Sequence, residues 1–289
     1  MIMITIFSNP RSFTGRFKIL QYNAIRSWKY LHPDVQIILF EDEEGTTKKV
    51  AQELSVQYVN GIPVNEFGTP LIDGVFNHVQ EHANHEIVVQ VNADIILTQS
   101  FISSVNRLNN IVNGNPFLMI GRRWDLDVTT LIEYDDNGEW EDRIINQAKE
   151  EGSLHRMSGM DYWIFRRDSQ LNPPSFVVGR PGFDGWLIKN ARYNKVPVID
   201  ATESITIIHQ NHDYPQQRND YYFIEKERNF KLGGSYWSVF SLWDADYLLV
   251  EKGLKRPPYP RRFYSLFSTN PVWRFFLATY LFIRKTLKI

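Results

Sequence analysis

The sequence predicts an α/β protein built on a mostly parallel, doubly wound sheet flanked by helices, and three observations carry that expectation. Short apolar runs rich in β-branched residues recur, as at 35–40 and 87–91, the pattern of strands covered on both faces. Segments with one apolar face at helical spacing separate these runs, as in successive βαβ units. Polar or acidic residues follow the runs directly: Ser8-Asn9-Pro10-Arg11, Glu41-Asp42 and Asn92-Ala93-Asp94. In such sheets ligands collect beyond the carboxyl ends of the strands.

Residues 1–8 read as the first strand; the apolar start has no basic leader and no small-residue cleavage site, so it is a core strand rather than a signal peptide. Residues 16–30 form a helix with Phe17, Leu20, Ala24 and Trp28 on one side. The second strand, 35–40, ends in the acidic run beginning at Glu41, and a short helix at 47–54 leads to an edge strand at 56–59. Thr69 followed by Pro70 is a good helix start, with an N-cap and then Pro at the first helical position. That helix runs to about His82 and feeds the strand at 87–91. Beyond it, 117–120 is a strand, and 121–140 has the charge and aromatic content of a long functional loop. Residues 159–165 read as a strand, and 183–193 as a helix entered through Arg180-Pro181-Gly182. Short strands at 196–199 and 204–208 complete the reading.

A chain of 289 residues suits one large domain or a domain with an appendage. Without cysteine it has no disulfide, no thiolate metal site and no thiol nucleophile, which fits a reducing compartment. The net charge of −1 conceals an asymmetry: residues 252–289 hold nine Lys or Arg and no acid, leaving the rest at −10. A nucleic-acid binder with a basic body is excluded. The expected division is a catalytic body over 1–235 and a basic, aromatic extension over 236–289. On a helical wheel Arg274, Arg284, Lys285 and Lys288 share one sector, with Phe275, Phe276, Tyr280, Phe282 and Ile283 over much of the rest. The apolar stretch 275–283 is much shorter than the ~20 residues of a span. It suits either a helix lying in an anionic membrane interface or one packed on the body or a second subunit. The first makes the protein peripheral at the cytoplasmic membrane face.

Four features occur in order: Asn92-Ala93-Asp94, Gly159-Met160-Asp161, Phe183-Asp184-Gly185 and His209-Gln210-Asn211-His212. With this order and spacing the chain resembles the A-type glycosyltransferases, the nucleotide-sugar-dependent enzymes of the Rossmann-like GT-A fold, and among them family 2. The resemblance covers roughly residues 1–215 and implies transfer of a sugar from a nucleotide-diphosphate donor, UDP-linked above all, to a glycan or lipid-linked acceptor. Such enzymes serve polysaccharide or glycolipid biosynthesis. It also implies Mn²⁺ or Mg²⁺ on an Asp-x-Asp motif, with a late histidine as further ligand. Here Asn92 stands at the first position of that motif. Asp94 is then the carboxylate ligand, and neutral Asn92 can only hydrogen-bond, for instance to a ribose hydroxyl. Either His209 or His212 is the late ligand, and a histidine favours Mn²⁺.

Asp184, at a helix start, is the expected base of an inverting transfer, with Asp161 as its rival; Asp184 could alternatively be an N-cap. Phe7, Asn9, Arg11, Asp42, Asn92 and Ala93 are the donor-binding candidates, and Arg122 and Arg123 further phosphate candidates. Gly159, Tyr162 and Trp163 are the acceptor-binding candidates, with Trp124 beside them; core packing is the other role open to the aromatics. Two other functions stay open: a sugar nucleotidyltransferase, for which the loop after the first strand lacks a glycine-rich run, and an inactive nucleotide-sugar or carbohydrate-binding relative, which Asn92 would fit.

Overall fold

The computed structural model describes residues 3–135, 137–213, 220–234 and 240–259, together with Arg261, Val272, Trp273, Phe276 and Thr279. Its first half follows the alternation of the sequence. Strand β1 (Ile4–Ser8) leads into α1 (Gly15–Leu31), β2 (Gln36–Phe40), α2 (Thr47–Leu54) and β3 (Gln57–Val59). Helix α3 (Ile72–His82) then returns the chain to β4 (Ile87–Val91). It starts later than the Thr69-Pro70 pair suggests, because Pro70 bridges Val64 and the Thr69 amide donates to Asn65 Oδ1 at 2.9 Å.

After β4 a short strand β5 (Ile95–Leu97) precedes α4 (Gln99–Val112) and β6 (Leu118–Ile120). The stretch expected as one long loop holds instead β7 (Trp124–Leu126) and the start of α5 (Glu139–Glu150), followed by β8 (Ser153–Leu154). Strand β9 (Tyr162–Arg166), α6 (Phe183–Tyr193), β10 (Val198–Asp200) and β11 (Ile207–Gln210) come next, then α7 (Tyr222–Gly233), β12 (Tyr247–Val250) and β13 (Gly253–Lys255).

Among the described residues nine strands form the central sheet, in the order β13-β12-β10-β6-β9-β4-β1-β2-β3. Its pairings are parallel except where β9 runs against β4 and β6, and β13 against β12. Both faces are buried, as the apolar runs require. Ile4, Ile6, Val89 and Val91 pack towards Ala24, Trp28, Phe101 and Val105 on one face. Phe7, Ile38, Phe40 and Val88 pack towards Val75, Phe76, Val79 and Leu187 on the other. The strand period of two thus assigns alternate side chains to the two helical layers.

A second sheet, of four strands among the described residues in the order β5-β11-β7-β8, stands at the carboxyl end of β4. Its small core joins Ile96, Leu126 and Ile208 to Trp140, Ile144 and Ala148 of α5.

Two expectations about the C-terminal region change. A body ending at 235 cuts the central sheet, since β12 and β13 belong to it. The cations beyond 252 are also not all unopposed. Arg261 is buried and lies 2.8 Å from the Asp200 carboxylate, and Arg256 sits over the Tyr247 ring. The helical wheel over 274–289 lies outside the described residues, apart from Phe276 and Thr279. Among the described residues no helix is long and apolar enough to cross a membrane.

Candidate functional site

The antiparallel direction of β9 builds the site. Because β9 enters where β4 ends, Val91 pairs with Tyr162, and the residues just outside the two strands meet. The Asn92 amide N–H donates to the Asp161 carbonyl at 3.0 Å, and Asn92 Nδ2 donates to Asp161 Oδ1 at 2.8 Å. This gives the neutral residue of the motif a physical reason. An aspartate there would set two like charges at contact distance, whereas the amide satisfies the carboxylate.

Asp94 faces the other way, towards the second sheet. Strand β11 pairs antiparallel with β5, and His209 lies opposite Ile95, next in the chain to Asp94. His212 Nε2 is 2.8 Å from Asp94 Oδ2 and His209 Nε2 is 3.7 Å from it. Asp94, His209 and His212 offer ligand atoms within 4.8 Å of one another, the one such group of three or more among the described residues. Asp94 Oδ1 is buried with no hydrogen-bond partner. An orphaned carboxylate oxygen beside two imidazole nitrogens fits a divalent cation, and mixed imidazole and carboxylate donors suit Mn²⁺ better than Mg²⁺. Both histidines named from the sequence are therefore at the carboxylate, not one alone.

The electrostatics are those of a desolvated but paired cluster. Burial pushes the Asp94 carboxyl up, but the hydrogen bond from His212 and the charges of His209, His212 and Arg123 hold it below its ordinary value. Burial likewise works against Asp125, yet His209, His155 and Arg123 keep its carboxyl well below the usual range. The His209 ring, disfavoured as a cation by burial, is raised by Asp125 and Asp94.

Asp161 is buried and held by Arg123, whose Nη1 lies 2.6 Å from Oδ2, while Oδ1 accepts from Asn92. Asp184 differs. It stands in the first turn of α6, after Gly182 at φ 119°, a conformation open to glycine, with Gly182 packed against Asn229. Burial, and then the charge of Asp161, push the Asp184 carboxyl up to about 7. Of the two rivals, Asp161 is tied into an ion pair and Asp184 is tuned towards neutrality.

Several expected side chains are elsewhere. Phe7 is fully buried between Phe76 and Phe165, each edge-on to it, and so belongs to the core rather than to a donor pocket. Tyr162 and Trp163 are core as well, packed on Phe101 and Phe183 respectively, and cannot stack on an acceptor sugar. A strand interior alternates between two buried faces here, so neither aromatic reaches the edge. The Ala93 side chain is in the core cluster. Asp42 serves the start of α2, accepting from Thr46 Oγ1 at 2.5 Å and the Thr47 amide at 3.1 Å. Arg122 donates to the carbonyls of Leu154 and His155, and Arg123 bridges Asp125 and Asp161, so neither is a phosphate hook. Trp124 lies in β7, half-buried against the small core. Gly159 is required by close approach, since a Cβ there would lie 2.0 Å from His155 Cδ2.

Two donor candidates keep an opening. Asn9 Nδ2 is buried without a partner at the end of β1. Arg11 stacks its guanidinium 5.0 Å above Phe17, whose ring is 5.1 Å from that of His212, so it lies on the cation side of the site.

Asp125 and His155 were not singled out by the sequence. The stretch reads as a loop, so no period marked Asp125 as a neighbour of Arg123 and His209; β7 becomes a strand only by pairing with β11 and β8.

No protein-family model and no curated protein matches the chain. It is similar to solved structures of glucosyl-3-phosphoglycerate synthase from Mycobacterium tuberculosis. The complex with Mn²⁺, UDP and phosphoglyceric acid is 13% identical over 81% of this chain and 79% of that one, at a TM-score of 0.46. The complex with Mn²⁺, UDP and glucosyl-3-phosphoglycerate is 14% identical over 81% of each chain, at a TM-score of 0.47.

Proposed function

We propose that the chain is a metal-dependent glycosyltransferase that moves a sugar from a nucleotide-diphosphate donor, UDP-linked in the first instance, to a hydroxyl of a glycan or lipid-linked acceptor with inversion. The observations that carry this reading are the cation-ready group of Asp94, His209 and His212, and the carboxylate of Asp184 in the first turn of α6, which burial and then the charge of Asp161 push up to about 7. A base working near neutrality needs a pKa close to the operating pH. Asp184 takes the proton of the acceptor hydroxyl while that oxygen attacks the anomeric carbon, and the bond from the sugar to the diphosphate breaks. Burial, and then the charge of Asp161, itself fixed by Arg123 and Asn92, keep the proton affinity of Asp184 high. When bound, a divalent cation supplies positive charge for the departing diphosphate. Asn9 and Arg11 are the donor-side contacts, and the loop at Gly159 borders the acceptor side. The basic chain beyond 261 holds the enzyme at the cytoplasmic membrane face by attraction to anionic lipid.

A thermal-shift screen of nucleotide sugars with and without Mn²⁺, followed by a donor-turnover assay, tests this. The expected result is a shift that needs both components, and release of the nucleoside diphosphate. Nucleotide binding indifferent to Mn²⁺, with no turnover, would replace the enzyme by a binding protein; pyrophosphate release from a nucleoside triphosphate and a sugar phosphate would make it a nucleotidyltransferase.

A further inference from the structure

We infer that Asp125 is a positioning residue shared by two histidines, fixing His209 so that its Nε2 faces Asp94, and His155 beneath Gly159. This rests on the reading of Asp94, His209 and His212 as a cation-binding group. Strand register supplies the first half, because β11 and β7 are parallel neighbours in which His209 pairs with Asp125. His209 Nδ1 lies 3.2 Å from Asp125 Oδ1, and Nε2 is turned to Asp94 Oδ2 at 3.7 Å. The ring is buried, with 4% of its side chain exposed, and each nitrogen faces a carboxylate; Asp125, an ion-pair contact outside hydrogen-bond geometry, is the nearer of the two.

The second half uses the other oxygen. His155 Nδ1 is 2.5 Å from Asp125 Oδ2, and the ring of His155 fills the space a side chain at 159 would need. Arg123 Nε donates to Asp125 Oδ1 at 2.8 Å and so adds a third partner to the carboxylate. His212 follows the same pattern by different means: its Nδ1 meets the Asp213 carbonyl at 2.6 Å while Nε2 meets Asp94. A histidine that ligates through one nitrogen commonly has the other held by a carboxylate or carbonyl, which fixes tautomer and ring orientation. Both rings are thus presented Nε2-first. One carboxylate ties the cation group to the loop at Gly159.

Two measurements on the full chain test this. In ¹⁵N NMR of the metal-free protein, at an alkaline pH where the ring is neutral, His209 is expected to carry its proton on Nδ1. A proton on Nε2 overturns the inference, and no variant is needed to see it. Mn²⁺ affinity by electron paramagnetic resonance is then compared between wild type and Asp125→Asn. The expected loss in the folded variant is about 10- to 100-fold, beside a lower melting temperature from the stranded Arg123 charge; affinity within twofold of wild type in a folded variant overturns the inference. A wild type that binds no Mn²⁺, with or without UDP, breaks the cation reading, while the tautomer still reports the orientation.

Discussion

The two sheets meet at the end of β4, yet they hold together by opposite means. In the nine-stranded sheet the strands β1 and β4 are buried throughout, mainly by aliphatic and aromatic side chains from two helical layers. In the four-stranded sheet the short strands β7 and β11 carry Asp125 and His209 as register partners, and their burial is compensated by ion pairs with Arg123, His155 and Asp94. Apolar burial of the first kind is nondirectional and tolerates local error. The second kind is directional, and losing one partner strands a desolvated charge. Scaffold and chemistry are therefore separable by mutation.

The largest effect is expected at the junction. Asp184→Asn should retain donor binding and lower kcat by about 10²- to 10⁴-fold; a rate near wild type would remove Asp184 as the base. Asp94→Ala should weaken Mn²⁺-dependent donor binding by about a hundredfold or more, the cation's share being several kcal/mol, and titration calorimetry with UDP reads it. Ile6→Ala, in the scaffold, should cost about 2–5 kcal/mol of stability in urea unfolding and leave the Mn²⁺ affinity of the folded fraction unchanged. If it altered affinity, the separation of the two sheets would fail.

The pH dependence sharpens the same contrast. Asp184, raised to about 7, is protonated and unable to act as base below that pH, so kcat should rise as pH passes through about 7. Stability should run the other way. Between the pKa of an unfolded carboxylate and about 7 the folded chain holds a proton that the unfolded chain has released, so this contribution is lost as pH rises through 7. Asp161→Asn removes the like charge and should move the midpoint of the rate profile to lower pH; an unmoved midpoint would deny the coupling of the two carboxylates. Smallest is the effect of removing residues 262–289, a cut that keeps the Arg261–Asp200 pair. Catalysis on a soluble acceptor should be unchanged, while binding to anionic vesicles is lost in a flotation assay.

The sequence by itself determined the scaffold, the strand edge and the identity of its ionisable residues. Runs such as 87–91 fold as buried strands wherever they pair; Asp94 is legible because it follows such a run, Asp184 because it opens a helix, and His209 because it stands at the end of the apolar run 204–208. Helix α4, the pair β12 and β13, and the second sheet were not legible. Their periodicity is short or mixed, and their strands gain stability only from partners distant in the chain. Nor could local pattern reveal that Tyr162 and Trp163 are core, because a strand buried on both faces has no outward side to mark. Only the tertiary structure decided that β9 runs antiparallel, bringing Asp161 against Asn92, and that β7 and β11 set Asp125 beside His209. The reason is physical: apolar patterning records how much of a residue is buried, whereas proton affinity and metal-ligand geometry depend on which charge lies a few ångströms away across the fold.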